Sequence, residues 1–231
     1  MRHYSISSRS APDHYEPHAA KKIPSAYRLF LQQSIRYLFS TASVLPSSRF
    51  LAEALVKPVD FNKVHTVVEL GPGTGAVTSE ILRRLRPGGR LVAIDINSAF
   101  VDHLQATCSD PRLVLLRGSA AELSSLLPRH GIASADAVVS SLGLSSMENA
   151  LRRSILREIG ACLVPGGILT QYQYLGNVDV PQLGIRGFDE AAFLRNHFAD
   201  VEVDRVIRNF PPALVFSCRH FRHSGLATHS A

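Results

Sequence analysis

Cysteine is scarce and scattered. Cys108, Cys162 and Cys218 form no CxxC pair, and no histidine stands at zinc-ligand spacing from them. That excludes a disulfide framework and predicts buried free thiols with no metal centre. His14 and His18 lie four residues apart, but Pro17 between them breaks a helix that would present both. No apolar run reaches the ~20 residues of a membrane-spanning helix, and the N-terminus lacks the apolar core of a secretory signal. Acidic residues are missing between Glu16 and Glu53, a stretch that holds Lys21, Lys22, Arg28, Arg36 and Arg49.

What is present describes a globular chain. Its 231 residues are 45% hydrophobic and 19% charged, enough for one α/β domain with extensions. The net charge of +6 favours an anionic partner, either nucleic acid or an acidic membrane surface.

Four regions follow from patterning. Residues 1–20, rich in Ser, His, Arg and Pro, read as a disordered arm, and 223–231 as a flexible tail. Residues 21–58 read as a helical extension. In it Tyr27, Leu31, Ile35, Leu38 and Ala42 recur at helical spacing, with Arg28, Gln32 and Arg36 on another side. Such a helix either covers the core or lies in a membrane interface with its cations towards anionic headgroups. A second helix is expected near Arg49 to Val56.

Residues 59–222 alternate strands and helices. Strands are expected at His65–Leu70, Arg90–Ile94, Leu113–Leu116, Ala137–Val139 and Ile168–Tyr174. Helical stripes run through Val77, Ile81 and Leu85, through Phe100 and Leu104, and through Leu151, Ile155, Ile159 and Leu163. Arg86-Pro87-Gly88-Gly89 and Pro165-Gly166-Gly167 read as stop turns. Val201–Ile207 and Ala213–Arg219 read as a closing hairpin. The expected fold is α/β and Rossmann-like, a mainly parallel seven-stranded sheet with a C-terminal antiparallel hairpin.

The first strand feeds Glu69-Leu70-Gly71-Pro72-Gly73-Thr74-Gly75-Ala76. Glycines admit close backbone approach, and the following helix offers free N–H groups to a ligand. The run satisfies a dinucleotide fingerprint, G-x-G-x-x-A. It also satisfies E-x-G-x-G-x-G, the first motif of class I methyltransferases. Glu69, the closing hairpin and the lack of room for a separate substrate domain favour the second pattern. Asp95, ending the second strand, suits ribose hydroxyls under either one.

The chain resembles class I S-adenosylmethionine-dependent methyltransferases. More narrowly, from Phe30 to Arg219, it is similar to the bacterial phospholipid N-methyltransferases of the soluble, peripheral-membrane type. The narrower likeness rests on Leu45-Pro46-Ser47-Ser48-Arg49, the glycine turn, Asp136-Ala137-Val138-Val139-Ser140-Ser141-Leu142 and Arg208-Asn209-Phe210-Pro211-Pro212-Ala213.

The resemblance implies S-adenosyl-L-methionine as cofactor, held by Glu69, Gly71, Pro72, Gly73, Thr74, Gly75, Asp95, Ile96, Ser119, Ala120 and Ser140. It implies successive methylation of phosphatidylethanolamine towards phosphatidylcholine, at the inner face of the cell membrane of the cytoplasm. Tyr174, Tyr172 and Ser141 are the candidate catalytic residues; Tyr27, Tyr37, Leu142 and Arg208 are candidates for lipid contact. Each tyrosine has packing as an equal alternative. Two positions depart from the pattern. Gly118-Ser119-Ala120 stands where such enzymes carry Gly-Asp-Ala, and Gly143-Leu144 where the family has Pro-Leu.

Three other readings stay open. An RNA adenine N6-dimethyltransferase would place an Asn-Leu-Pro-Tyr-type motif where this chain has Ser140-Ser141-Leu142-Gly143, with no aromatic to stack on the base. A small-molecule amine methyltransferase would use the N-terminal helices as a lid. A membrane-associated cofactor-binding protein would transfer nothing.

Overall fold

A computed structural model describes residues 48–175 and 188–222. The chain divides into two units between Leu45 and Pro46, and all that is described lies in the second. The segments read from sequence as a disordered arm, as a helix through Tyr27 and Tyr37 and as a flexible tail lie outside the described residues.

Seven strands make one sheet. They are β1 Thr66–Leu70, β2 Arg90–Asp95, β3 Leu113–Arg117, β4 Ala135–Ser140, β5 Leu163–Tyr174, β6 Phe198–Val206 and β7 Ala213–Phe221. Their order is β3-β2-β1-β4-β5-β7-β6. The first five run parallel, and β7 is antiparallel to both β5 and β6. The expected architecture is the one observed.

Central strands are buried on both faces, which is why β1 and β4 carry consecutive apolar residues rather than alternation. Val67, Val68, Val138 and Val139 have no exposed surface. One face packs against α1 Arg49–Val56 and α2 Ala76–Arg84. The other packs against α4 Leu123–Arg129, α5 Asn149–Cys162 and α6 Glu190–Arg195. The remaining helix, α3 Ser98–Thr107, links β2 to β3 and buries Val101 and Leu104.

In α1 the buried residues Leu51, Ala52, Leu55 and Val56 form one stripe. Each leucine so buried contributes ~1.5–3 kcal/mol of transfer free energy. Ser48 caps the helix by accepting from the Leu51 N–H, leaving the Arg49–Val56 bounds as read from sequence. At the far end of the sheet from the glycine turn, Asp136 accepts the His65 and Thr66 N–H groups at 2.8 Å. That motif residue ties β1 to β4.

The structure corrects one expectation. The spacing from Leu151 predicts a helix reaching Leu163, with Pro165-Gly166-Gly167 as the stop. The helix closes at Cys162, and Leu163 already pairs with Ala135 in β5. Pro165-Gly166-Gly167 instead sits inside the strand, where the register slips between Ala135 and Ala137 and Gly166 takes φ +80°. Helices α4 and α6 have no counterpart among the expected elements; both are short and carry little periodicity.

Candidate active site

Strand order lines up the candidate residues. The carboxyl ends of β3, β2, β1 and β4 stand side by side, presenting Ser119, Asp95, the glycine turn and Ser140-Ser141 in sequence along one rim. The chain leaves β1 towards β2 on one side and meets β4 on the other. The crevice where ligands bind in open α/β sheets lies there.

The turn needs its glycines for different reasons. Gly71, Gly73 and Gly75 all have positive φ, at +71°, +55° and +89°. A Cβ on Gly75 would fall 2.5 Å from Leu104 Cδ2, so this residue lets α3 pack close. A Cβ on Gly73 would meet nothing within 4 Å. Gly73 therefore leaves a backbone cradle facing open space. Gly75 caps α2 with no side-chain hydrogen bond of its own. Pro72 is buried and Thr74 is exposed on the outside of the turn.

Glu69 lies wholly buried beneath the turn. Thr78 Oγ1 donates to its Oε2 at 2.7 Å, while its Oε1 has no partner. Burial pushes this carboxyl up to about 8, against the pull of the Thr78 hydrogen bond. Asp95 receives the Asn97 N–H at 2.8 Å on one oxygen and the Gly73 N–H at 3.4 Å on the other. Burial raises its pKa too. Ile96 follows it, half-buried. Ser119 is buried and caps the single turn Ala120–Glu122 by accepting from the Ala121 N–H at 3.2 Å.

Between β4 and α5, the Ser141 N–H donates to Leu70 O at 2.8 Å, locking the two central strand ends together. Its Oγ is buried without a partner. Ser140 pairs with Gln171 on β5, on the face covered by α5 and α6. Continuing the alternation puts Ser141 on the opposite face, that of Tyr172 and Tyr174. Those two rings meet edge-on, 5.0 Å apart at 70°. They pack against the cluster built by α1 and α2, and burial raises the Tyr172 phenol. Leu142 shields Gly71, with Cδ2 3.1 Å from where a Cβ would stand.

A buried polar group beneath this loop has no forerunner among the sequence expectations. Gln171 Nε2 donates to Leu142 O at 2.7 Å. Nearby sit Glu190, 1% exposed, and Arg152, 8% exposed. Burial pushes Glu190 up to about 8, opposed by the Gln171 amide and the Arg152 charge. The Arg152 guanidinium stacks 3.7 Å from the Phe188 ring centroid. The readable sign is Arg152 itself, which occupies the same helical stripe as Ile155, Leu156 and Ile159.

Two motifs 161 residues apart in sequence prove to be neighbours. The Ser48 hydroxyl donates to Asn209 Oδ1, and Asn209 Nδ2 donates to Pro211 O at 2.6 Å. Arg208 lies 5.8 Å from the Phe50 ring centroid. Ser48 and Phe50 thus share a corner with the Arg208-Asn209-Phe210-Pro211-Pro212 segment. The Leu175 N–H donates to Pro212 O at 2.8 Å, tying that corner to the end of β5. Tyr27 and Tyr37 fall outside the described residues.

The three free thiols include Cys162 and Cys218, which burial pushes up to about 12. Among the described residues no group of three His, Cys, Asp or Glu side chains stands ready for a metal ion, and no helix is long and apolar enough to cross a membrane.

Residues 67–167 match the family described as a methyltransferase domain. The chain is 29% identical over 197 residues to the ornithine lipid N-methyltransferase of Singulisphaera acidiphila, covering 85% of this chain and 97% of that one. Its fold is similar to the Burkholderia thailandensis 1,6-didemethyltoxoflavin-N1-methyltransferase bound to S-adenosylhomocysteine. That match has a TM-score of 0.62 at 19% identity, over 89% of this chain and 94% of that one. The N-methyltransferase NodS of Bradyrhizobium japonicum WM9, also bound to S-adenosylhomocysteine, aligns with a TM-score of 0.59 at 17% identity over 81% and 97%.

Proposed function

We propose that the chain is a class I S-adenosylmethionine-dependent methyltransferase that methylates the primary amine of a membrane aminolipid. One observation carries the acceptor class. Similarity to the ornithine lipid enzyme runs through 97% of that protein instead of stopping at the cofactor half. Phosphatidylethanolamine, methylated towards phosphatidylcholine, is the acceptor that the motif resemblance supports, and ornithine lipid presents the same primary amine.

The residues fit the cofactor on structural grounds. The Gly73 cradle faces open space, the α2 amides have no side-chain cap, and Glu69 Oε1 is buried without a partner. The glycine turn and the α2 amides would hold the polar end of the cofactor, and Asp95 its ribose hydroxyls. When bound, S-adenosylmethionine supplies an electrophilic methyl group on a sulfonium.

An amine acceptor must reach that group neutral, desolvated and in line. The Ser141 hydroxyl, buried and without a partner, would accept one amine N–H and aim the lone pair. Tyr172 and Tyr174 would offer aromatic surface to the growing ammonium. With its pKa raised, Tyr172 keeps its proton and serves as a wall, not a base. Gln171 would steady the loop through Leu142 O. Arg208 would meet the lipid phosphate or carboxylate, and the extension 21–58, with Tyr27 and Tyr37, would hold the enzyme at the inner membrane face.

The test is the fate of methyl-labelled cofactor incubated with protein, vesicles and ribosomal RNA together. Label in the lipid extract only when an aminolipid is included supports the proposal. Label in RNA, or in neither fraction while S-adenosylhomocysteine still binds, defeats it.

A further inference from the structure

The corner formed by Ser48 and Asn209 carries more large exposed apolar surface than any other described part of the molecule. Phe210 is 81% exposed, Ile207 76%, Phe50 45% and Leu175 37%. They do not hang on a loose loop. Asn209 between them is only 4% exposed, bonded to Ser48 and to Pro211 O, and Pro212 O receives the Leu175 N–H. A rigid turn therefore projects two large side chains outward. Arg205 and Arg208 beside them are exposed, and Arg208 lies over Phe50. From Arg205 to Pro212 there is no acidic residue; Asp204 precedes the stretch, and Glu53 pairs with Arg49 on α1.

We infer that this β6–β7 turn is a membrane wedge, its Phe210 and Ile207 entering the interface of an anionic bilayer while Arg205 and Arg208 meet the headgroups. The choice of a lipid partner rests on the aminolipid reading above; the wedge geometry stands on the exposure and the pinning. Size argues against a protein partner. Four side chains fall far short of the ~20–30 residues per side of a stable protein interface, whereas partial insertion into lipid needs no complementary surface. Position argues for function. Ala213, which begins β7, pairs with Tyr174, so the wedge stands at the same end of the sheet as Ser141 and the tyrosine pair. Insertion would bring that end against the lipid headgroups.

The chain contains no tryptophan, so Phe210→Trp creates a single fluorescent reporter at an exposed position. Full-length protein is mixed with vesicles of phosphatidylcholine and phosphatidylglycerol in equal parts, and separately with phosphatidylcholine alone. The wedge predicts a blue shift and quenching by brominated acyl chains with the anionic vesicles, weakened by salt. The Ile207→Ser, Phe210→Ser double variant should lose vesicle affinity by about tenfold or more while binding S-adenosylhomocysteine as before. Emission at position 210 that ignores vesicles overturns the inference. So does emission already blue-shifted without lipid, which would mean that residues 1–47 or a second copy cover the turn. Unchanged vesicle affinity of the double variant does the same. Insertion without methylation of any lipid leaves the wedge standing and removes the proposed acceptor.

Discussion

Replacing Glu69 with Gln should make the protein more stable above neutrality and poorer at its work. The carboxyl is wholly buried, with one oxygen bonded to Thr78 and the other without a partner, and its pKa moves from 4.5 to about 8. Below pH 4.5 the group is protonated in both folded and unfolded chains and contributes no pH dependence. Between 4.5 and about 8 the unfolded chain ionises freely while the folded one keeps its proton, so stability is lost as pH rises. At ~1.4 kcal/mol per pH unit the ceiling is ~5 kcal/mol. Local relaxation around the carboxylate lowers that, and ~2–3 kcal/mol is the expected loss. Glutamine keeps the shape and the Thr78 partner but does not titrate. Urea unfolding followed by circular dichroism should give coincident wild-type and Glu69→Gln stabilities near pH 5. At pH 8 the variant should be ahead by that amount. It should also bind S-adenosylhomocysteine about tenfold more weakly, since an amide NH2 replaces the unpartnered Oε1 as the group offered to the ligand. Stability curves that run parallel from pH 5 to 8 would refute the burial argument.

Two glycines of the turn should separate fold from ligand. Gly75→Ala drives a methyl into Leu104 at 2.5 Å and strains a φ of +89°, so a loss of ~2–3 kcal/mol is expected in thermal unfolding. Gly73→Ala meets no neighbour within 4 Å and should cost ~1 kcal/mol, yet titration calorimetry should find cofactor binding largely gone. The Glu190 pKa is held at about 8 by burial, so the folded chain loses stability through this group as pH rises from 4.5, and Glu190→Gln should gain ~2–3 kcal/mol over wild type at pH 8 with no gain near pH 5. Equal urea stabilities of the two proteins at pH 8 would refute this.

The sheet was legible because its strands are buried on both faces and therefore spell short Val- and Leu-rich runs bounded by glycine turns. The candidate cofactor rim was legible for a related reason. Glycines at Gly71, Gly73 and Gly75 and an acid at Asp95 mark strand ends that a parallel sheet must bring together. Other features follow from tertiary contact alone. Nothing local announces that Ser48 and Asn209 bond across 161 residues, nor that Glu190 turns inward from a helix of six residues. Pro165-Gly166-Gly167 reads as a stop because proline and glycine end most helices and strands. Here pairing of Leu163 with Ala135 carries the strand through it.

Mass spectrometry of the lipid product tests the acceptor most directly. Purified protein and S-adenosylmethionine are incubated with vesicles holding both phosphatidylethanolamine and ornithine lipid, and headgroup fragments are compared before and after. The account predicts a methyl increment on the nitrogen-bearing fragment of at least one of the two lipids, with acyl fragments unchanged. Unmodified headgroups on both, in a preparation that binds S-adenosylhomocysteine and the vesicles, would contradict it.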